Sequence, residues 1–185
     1  MIYVFGPRDK PPPDLPVINV TSRSRDWGQE FSPFFLGPVD LYGDYIAQRM
    51  ENAWQYTKVY KVHTDDRGEP TEDYWKWARL GWMNTRAVRF PMGRGAAPEY
   101  SLWDGEKLSY VEARKKIYIP LYASCVRRTE AWKKLQALYK EGGDFGLWDF
   151  DGYNHEGKTL QEVADCATRK MGHAFVLAMM LEGMA

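Results

Sequence analysis

Proline and glycine cut this chain into short pieces, and that punctuation limits the fold more than any other feature. The run Pro11-Pro12-Pro13 stands between the apolar residues 2–5 and 17–20. A proline run cannot continue a helix, so the two apolar runs read as short strands joined by a loop. Gly37-Pro38 follows an aromatic loop, residues 26–35, and precedes residues 39–43, which alternate like a strand entering a turn. Gly68 and Pro70 fall in a charged loop, Pro91, Gly93 and Gly95 interrupt any period over residues 86–95, and Trp103-Asp104-Gly105 makes a further turn. Residues 147–152 alternate apolar and acidic side chains, as a short strand and turn would.

The periodicity that survives between these breaks is mostly helical. A first helix is expected over residues 50–62 and a second after Thr71, which can cap it with Glu72 and Asp73 in the first turn, running to Met83. Residues 109–122 turn Val111, Ile117 and Leu121 inward, with Pro120 as a kink or a break. Residues 129–139 place Trp132, Leu135 and Leu138 on one face, and a last helix is expected over 159–181. The expectation is one mainly helical α+β domain over 1–185 with a few short strands, whose residues 1–17 are an N-terminal strand and proline-rich extension.

Lys plus Arg number 25 and Asp plus Glu number 25, so no global field steers the protein onto a polyanion. A nucleic-acid partner is therefore not implied by charge, although Arg86, Arg89 and Arg94 could form a local basic face for a strand. Cys125 and Cys166 are far apart and have no metal-like spacing with His63, His155 or His173, so neither a metal nor a disulfide framework is expected. The first residues do not read as a signal peptide, and the apolar run at 174–181 is too short to span a bilayer. A cytoplasmic protein with no membrane partner is the expectation, and nothing bears on its oligomeric state. The eight Trp, twelve Tyr and eight Phe exceed what a core alone calls for, and rings of this kind also line pockets for flat ligands.

Glu51, Gln55 and Lys58 are spaced four and three apart, which puts an acid, an amide and an amine on one helical stripe. By spacing alone the stripe reads either as a solvated Glu-Lys face or as the polar wall of a pocket. Elsewhere each candidate also has two readings. The Gly93-Arg94 loop can grip a phosphate or simply turn the chain. Trp103 can stack on a base or sit half-buried. Asp149 and Asp151 can accept from ribose hydroxyls or cap a turn. Arg169, Lys170 and Gly172 make a basic corner, on the last helix as expected here, or only a surface patch.

The order of these pieces adds to them. Asn19-Val20-Thr21-Ser22, Asp26-Trp27-Gly28, Phe31-Ser32-Pro33-Phe34, the Glu51, Gln55 and Lys58 helix, Gly93-Arg94, Trp103 and Arg169-Lys170-Met171-Gly172 follow one another along the chain. The series resembles the NADAR, or YbiA-like, family over residues 18–182. That family has a Phe-Ser-Asn-Phe loop, a Glu-His-x-x-Gln-x-x-Lys helix, a Gly-Arg loop, a Trp some nine residues on, and an Asn-Arg-Leu-Gly stretch near its end. Asn52 replaces the family's His, Pro33 replaces its Asn, Phe90-Pro91 looks inserted, and residues 147–152 echo its acidic and Trp-Gly stretch only loosely. These departures bear on the substrate more than on the fold.

The resemblance implies an N-glycosidase that hydrolyses the bond between ribose, free, phosphorylated or within ADP-ribose, and a heterocyclic base, including ADP-ribosyl-guanine in nucleic acid. Glu51, Lys58 and Trp103 would be catalytic: Glu51 at the anomeric carbon, Lys58 as a fixed cation or a Schiff-base amine, Trp103 stacked on the leaving base. Gln55, Phe31, Ser32, Arg89, Gly93, Arg94, Asp149, Asp151, Arg169 and Lys170 would bind substrate. No cofactor is implied, and the expected partner is a ribosylated or ADP-ribosylated small molecule or base. The alternative is a sensor or sponge that binds ADP-ribose or a nucleotide without cleaving it.

Overall fold

A computed structural model describes residues 1–155 and 157–185. It is an α+β fold built on a small parallel sheet. Strand β1, Ile2–Phe5, and strand β2, Val17–Asn19, appear where the proline loop separates them. They do not pair with each other. A 3₁₀ turn, Trp27–Phe31, follows, capped by the Asp26 carboxylate on the Gly28 N–H. Strands β3, Val39–Asp40, and β4, Ile46–Ala47, form a short antiparallel ribbon.

Helix α1 spans only Met50–Gln55, and the expected continuation to residue 62 does not occur. Lys58–Val59 is strand β5 instead, paired with Ser101 and Tyr100. The sheet recruits this segment because its apolar and β-branched residues fit a pleat better than a helix edge. Helix α2 is Glu72–Met83, and its Thr71 occupies the N-cap without capping, since the hydroxyl donates to the His63 carbonyl. Strands β6, Tyr100–Trp103, and β7, Glu106–Leu108, close a hairpin through Asp104-Gly105, both in left-handed backbone geometry. Asp-Gly is the pair such a two-residue turn favours.

The expected helix at 109–122 runs further and does not break at Pro120. Helix α3, Tyr110–Ala113, opens with a Ser109–Glu112 capping box and continues through a π-helical turn, Arg114–Tyr118, into helix α4, Ile119–Val126. Pro120 falls in the first turn of α4, just past the widened turn. Helix α5, Glu130–Lys140, is capped by Thr129. Strand β8, Phe145–Trp148, then enters between β1 and β2, parallel to both.

The single last helix expected over 159–181 is two. Helix α6, Leu160–Asp165, ends before a loop, and helix α7, His173–Leu181, begins after it. Residues 173–180 are all buried, as befits a helix apolar on every side. It packs on β1 and α4 in a core that runs from Ile2 to Met180. Among the described residues no helix is long and apolar enough to cross a membrane.

Candidate functional site

A cavity of about 470 Å³ opens beside the carboxyl ends of β2 and β8, the place where loops leaving parallel strands diverge and leave room for a ligand. Thr21 and Ser22 leave β2 there, and Asp149 to Asp151 leave β8. The other walls come from α1, the 89–97 loop, the π-helical turn and the 167–173 loop.

Glu51 reaches this cavity because the preceding loop docks on the start of its helix. Arg49 gives α1 no side-chain cap, and the Glu51 N–H donates to the Pro33 carbonyl at 2.9 Å while the Met50 N–H donates to that of Leu36 at 2.8 Å. Satisfying these otherwise orphaned donors fixes the helix start. Asn52 is fully buried and grips the other wall: its amide donates to the Asn84 and Arg86 carbonyls and accepts from the Val88 N–H. It anchors the start of the 84–97 loop to α1.

The acid, amide and amine meet although they do not share a helix. Gln55 Nε2 donates to Glu51 Oε1 at 2.9 Å, and Lys58 Nζ, from β5, donates to Gln55 Oε1 at 2.8 Å. Glu51 is only 8% exposed, so the solvated-face reading is excluded. Burial raises the Glu51 carboxyl above its ordinary range, opposed by the Gln55 hydrogen bond and by the charges of Lys58, Arg89 and His173. Burial pushes Lys58 down to about 8, with Lys170 adding to the fall and Glu51 resisting it. The Lys58 ammonium also lies 5.1 Å from the Trp54 ring.

The other expected residues divide. Ser32, Arg89, Gly93, Asp149, Asp151, Arg169 and Lys170 line the cavity. Arg89 pairs with Asp151 at 3.0 Å across its mouth. Asp149 is occupied with the fold, since Oδ2 accepts from the Ala174 N–H at the start of α7 and faces His173 Nδ1 at 3.2 Å. His173 Nε2 lies 2.7 Å from the Val20 carbonyl. A side chain at Gly172 would collide with the Asp149 carboxylate, so only glycine lets α7 start there. The basic corner of Arg169 and Lys170 belongs to a loop and not to a helix, and the Arg169 guanidinium stacks 3.6 Å from the Tyr153 ring.

Phe31, Arg94 and Trp103 are not among the residues lining the cavity. Phe31 is fully buried against Trp27, and its carbonyl accepts from Tyr122. Arg94 turns outward over Phe90. Trp103 ends a strand, its ring centre 4.8 Å from that of Tyr42 in an edge-on contact and its body on a small cluster that includes Leu108 and Ile117. Among the rings that do line the cavity is Trp54, which packs on Tyr110 and Tyr118 of the same wall. Burial raises the Tyr118 phenol well above its ordinary value, so it stays a neutral donor.

Arg114 lines the cavity as well, a residue that the sequence did not single out. It is 2% exposed. Its guanidinium donates to the carbonyls of Val163, Ala164, Cys166 and Arg169 at 2.9–3.1 Å. Those carbonyls belong to the end of α6 and the loop beyond, so one side chain from the π-helical turn holds the Arg169–Lys170 wall in place. Among the described residues no three His, Cys, Asp or Glu side chains group as a metal site would require.

The cavity can therefore hold a flat ring against Trp54 and Tyr110, present a carboxylate and an amine to one point, and face anionic groups with Arg89, Arg169 and Lys170. No curated protein and no solved structure matches the chain. A family model matches residues 9–176, which take in every residue lining this cavity, and the chain belongs to that family, DUF6939, a family of unknown function.

Proposed function

We propose that this protein is an N-glycosidase with a NADAR-type fold, hydrolysing the bond between ribose, free, phosphorylated or within ADP-ribose, and a heterocyclic base. The observation that carries this reading is Glu51, a buried carboxylate in an aromatic-lined cavity, tied through Gln55 to the Lys58 amine. Cleaving a C–N bond at an anomeric carbon builds positive charge on the ribose. A carboxylate beside that carbon stabilises the charge and takes a proton from the attacking water. Burial raises the affinity of Glu51 for that proton.

Lys58 is poised between ammonium and neutral amine, so it can supply a proton or, once deprotonated, attack the C1 aldehyde of a ring-opened ribose. Trp54 and Tyr110 take the stacking role that sequence gave to Trp103. Arg89, Arg169 and Lys170 face the phosphates of a 5′-phosphate or of ADP-ribose. Substrates within nucleic acid, ADP-ribosyl-guanine among them, remain part of the reading, because Arg89 at the mouth is exposed enough to meet a strand.

The test is incubation with a nucleoside, its 5′-phosphate and guanine carrying ADP-ribose, followed by chromatography for free base. Release by the wild type and a loss of at least about a hundredfold in Glu51→Gln is the expected result. Tight binding with every ligand recovered intact would instead make the protein an ADP-ribose or nucleotide sensor or sponge.

A further inference from the structure

The cavity wall that precedes β6 is tied down at its ends and hardly at all between them. The Val88 N–H donates to the Asn52 side-chain oxygen at one end, and the Glu99 N–H donates to the Val59 carbonyl at the other. Between these anchors the backbone bonds only to itself, from the Gly93 N–H to the Phe90 carbonyl and from the Ala96 N–H to the Gly93 carbonyl. The Arg94 guanidinium also stays within the segment, over Phe90. Gly93 and Gly95 have left-handed backbone, and a Cβ on either would meet nothing within 4 Å, so the tip stands in open space. A segment with so few ties opens without disturbing the core beneath it.

Among the described residues, one hydrogen bond leaves residues 89–98 for the rest of the chain: Arg89 Nη2 donates to Asp151 Oδ2 at 3.0 Å. It crosses the mouth to the loop that leaves β8. The two side chains are 37% and 34% exposed, so water screens the pair and its hold is weak. The bond uses one N–H of the guanidinium and leaves the others, and because Arg89 lines the cavity they can meet an anion held there. The Asp151 main chain is held separately, its carbonyl accepting from the Gly172 N–H, so the carboxylate is free to give up Arg89 without moving its loop.

We propose that residues 89–98 are a lid over the cavity, that the Arg89–Asp151 pair is its latch, and that a phosphate group of the ligand takes the place of the Asp151 carboxylate, so that the lid closes on the ligand through Arg89. Asp151 then acts as a discriminating residue. A neutral nucleoside leaves Arg89 with its carboxylate, whereas a phosphate, with its higher charge and its own bidentate fit to guanidinium, displaces that carboxylate. The proposal rests on the glycosidase reading for the phosphate on the ligand and for nothing else. Lids of this kind shut water out of a site and let a ligand in and out.

Trypsin cleavage after Arg94, located by mass spectrometry, reads the opening of the lid, and calorimetry with inorganic pyrophosphate reads the anion. Asp151→Asn and Arg89→Gln should each be cut after Arg94 about threefold or more faster than the wild type, with cuts elsewhere in the chain unchanged. Their responses to pyrophosphate should be opposite. Asp151→Asn should bind it at least about threefold more tightly than the wild type and regain protection of Arg94, because the anion replaces the missing carboxylate; Arg89→Gln should bind it about tenfold or more weakly and stay open. Equal cutting of all three chains, a rise shared by every cleavage site, protection of Arg89→Gln as full as that of Asp151→Asn, weaker binding by Asp151→Asn, or no binding of pyrophosphate by any chain overturns the proposal. If Arg89→Gln does not fold, Arg89→Met keeps the aliphatic stem and serves the same comparison. Neither readout needs base release, so a latched lid on a protein that cleaves nothing would refute the glycosidase alone, and base release by a chain whose loop ignores Asp151 would refute the lid alone.

Discussion

Arg114 and Glu51 are both buried charges on the wall of one cavity, and their surroundings differ in kind. The Arg114 guanidinium is spent on four backbone carbonyls at the end of α6 and beyond, with the Tyr110 ring 4.6 Å away. The Glu51 carboxylate accepts from one side-chain amide, and its attractive charges, Lys58, Arg89 and His173, act on it through space. A saturated charge builds a wall. A charge left short of partners has capacity for a ligand, and it holds its proton more tightly than an ordinary acid for the same reason. The contrast teaches that burial alone does not mark function; the unspent hydrogen-bonding capacity does.

The comparison breaks most visibly at Arg114. Arg114→Met keeps the aliphatic stem and removes every donor, stranding several buried carbonyls. Unfolding by urea should show a loss of roughly 3–5 kcal/mol. A variant within about 1 kcal/mol of the wild type would mean that the loop between α6 and α7 holds its shape without the guanidinium.

Lys58 comes next, and here the effect lies in the pH dependence. Its ordinary value of 10.5 falls to about 8 in the folded chain. Between those values the unfolded chain holds a proton that the folded chain lacks, so stability rises with pH across that window. The contribution is fully present above 10.5 and is lost as pH falls through about 8. Lys58→Met removes this dependence, so the difference between wild type and variant should climb from pH 8 to 10.5, with the tyrosines cancelling between the two. A flat difference would place the Lys58 amine in water.

The elements whose signals are local were legible in the sequence. The strands either side of the proline loop, α2 and its acidic first turn, α5 behind Thr129, and the Asp104-Gly105 turn all follow from their own residues. What long-range partners decide was not. Helix α1 stops at Gln55 because β6, over forty residues away, draws Lys58 and Val59 into a sheet. The first half of the expected final helix stops at Cys166, where neither proline nor glycine stands, because Arg114 binds the carbonyls there, and the second half starts only after Gly172. The same holds for the site. Glu51, Gln55 and Lys58 were found by spacing, although their reach survives a change from helix to strand that spacing did not foresee. Trp54, Tyr110, Arg114 and His173 were missed, since nothing near each in sequence says which way it faces. Trp103 was expected at the cavity by its place in an ordered series, whereas the hairpin turns it onto Tyr42.

The smallest effect sharpens the comparison most. Glu51→Gln retains the shape and a hydrogen-bonding partner for Gln55 while deleting a buried charge whose burial works against it. If Glu51 serves function and not the fold, its removal should leave the unfolding free energy at neutral pH within about 1 kcal/mol of the wild type, or raise it. The sign of the pH dependence follows from the raised carboxyl. The folded chain keeps the proton after the unfolded chain has released it, so the stabilisation from Glu51 is complete below its ordinary value of 4.5 and is lost as pH rises through the folded value. Glutamine cannot release that proton, so the variant should lose less stability than the wild type on going from acid to neutral pH. Paired denaturation series across that range measure the difference. A Glu51→Gln variant that is weakened as much as Arg114→Met would make the acid a structural element like the guanidinium, and the distinction between the two walls would fall with it.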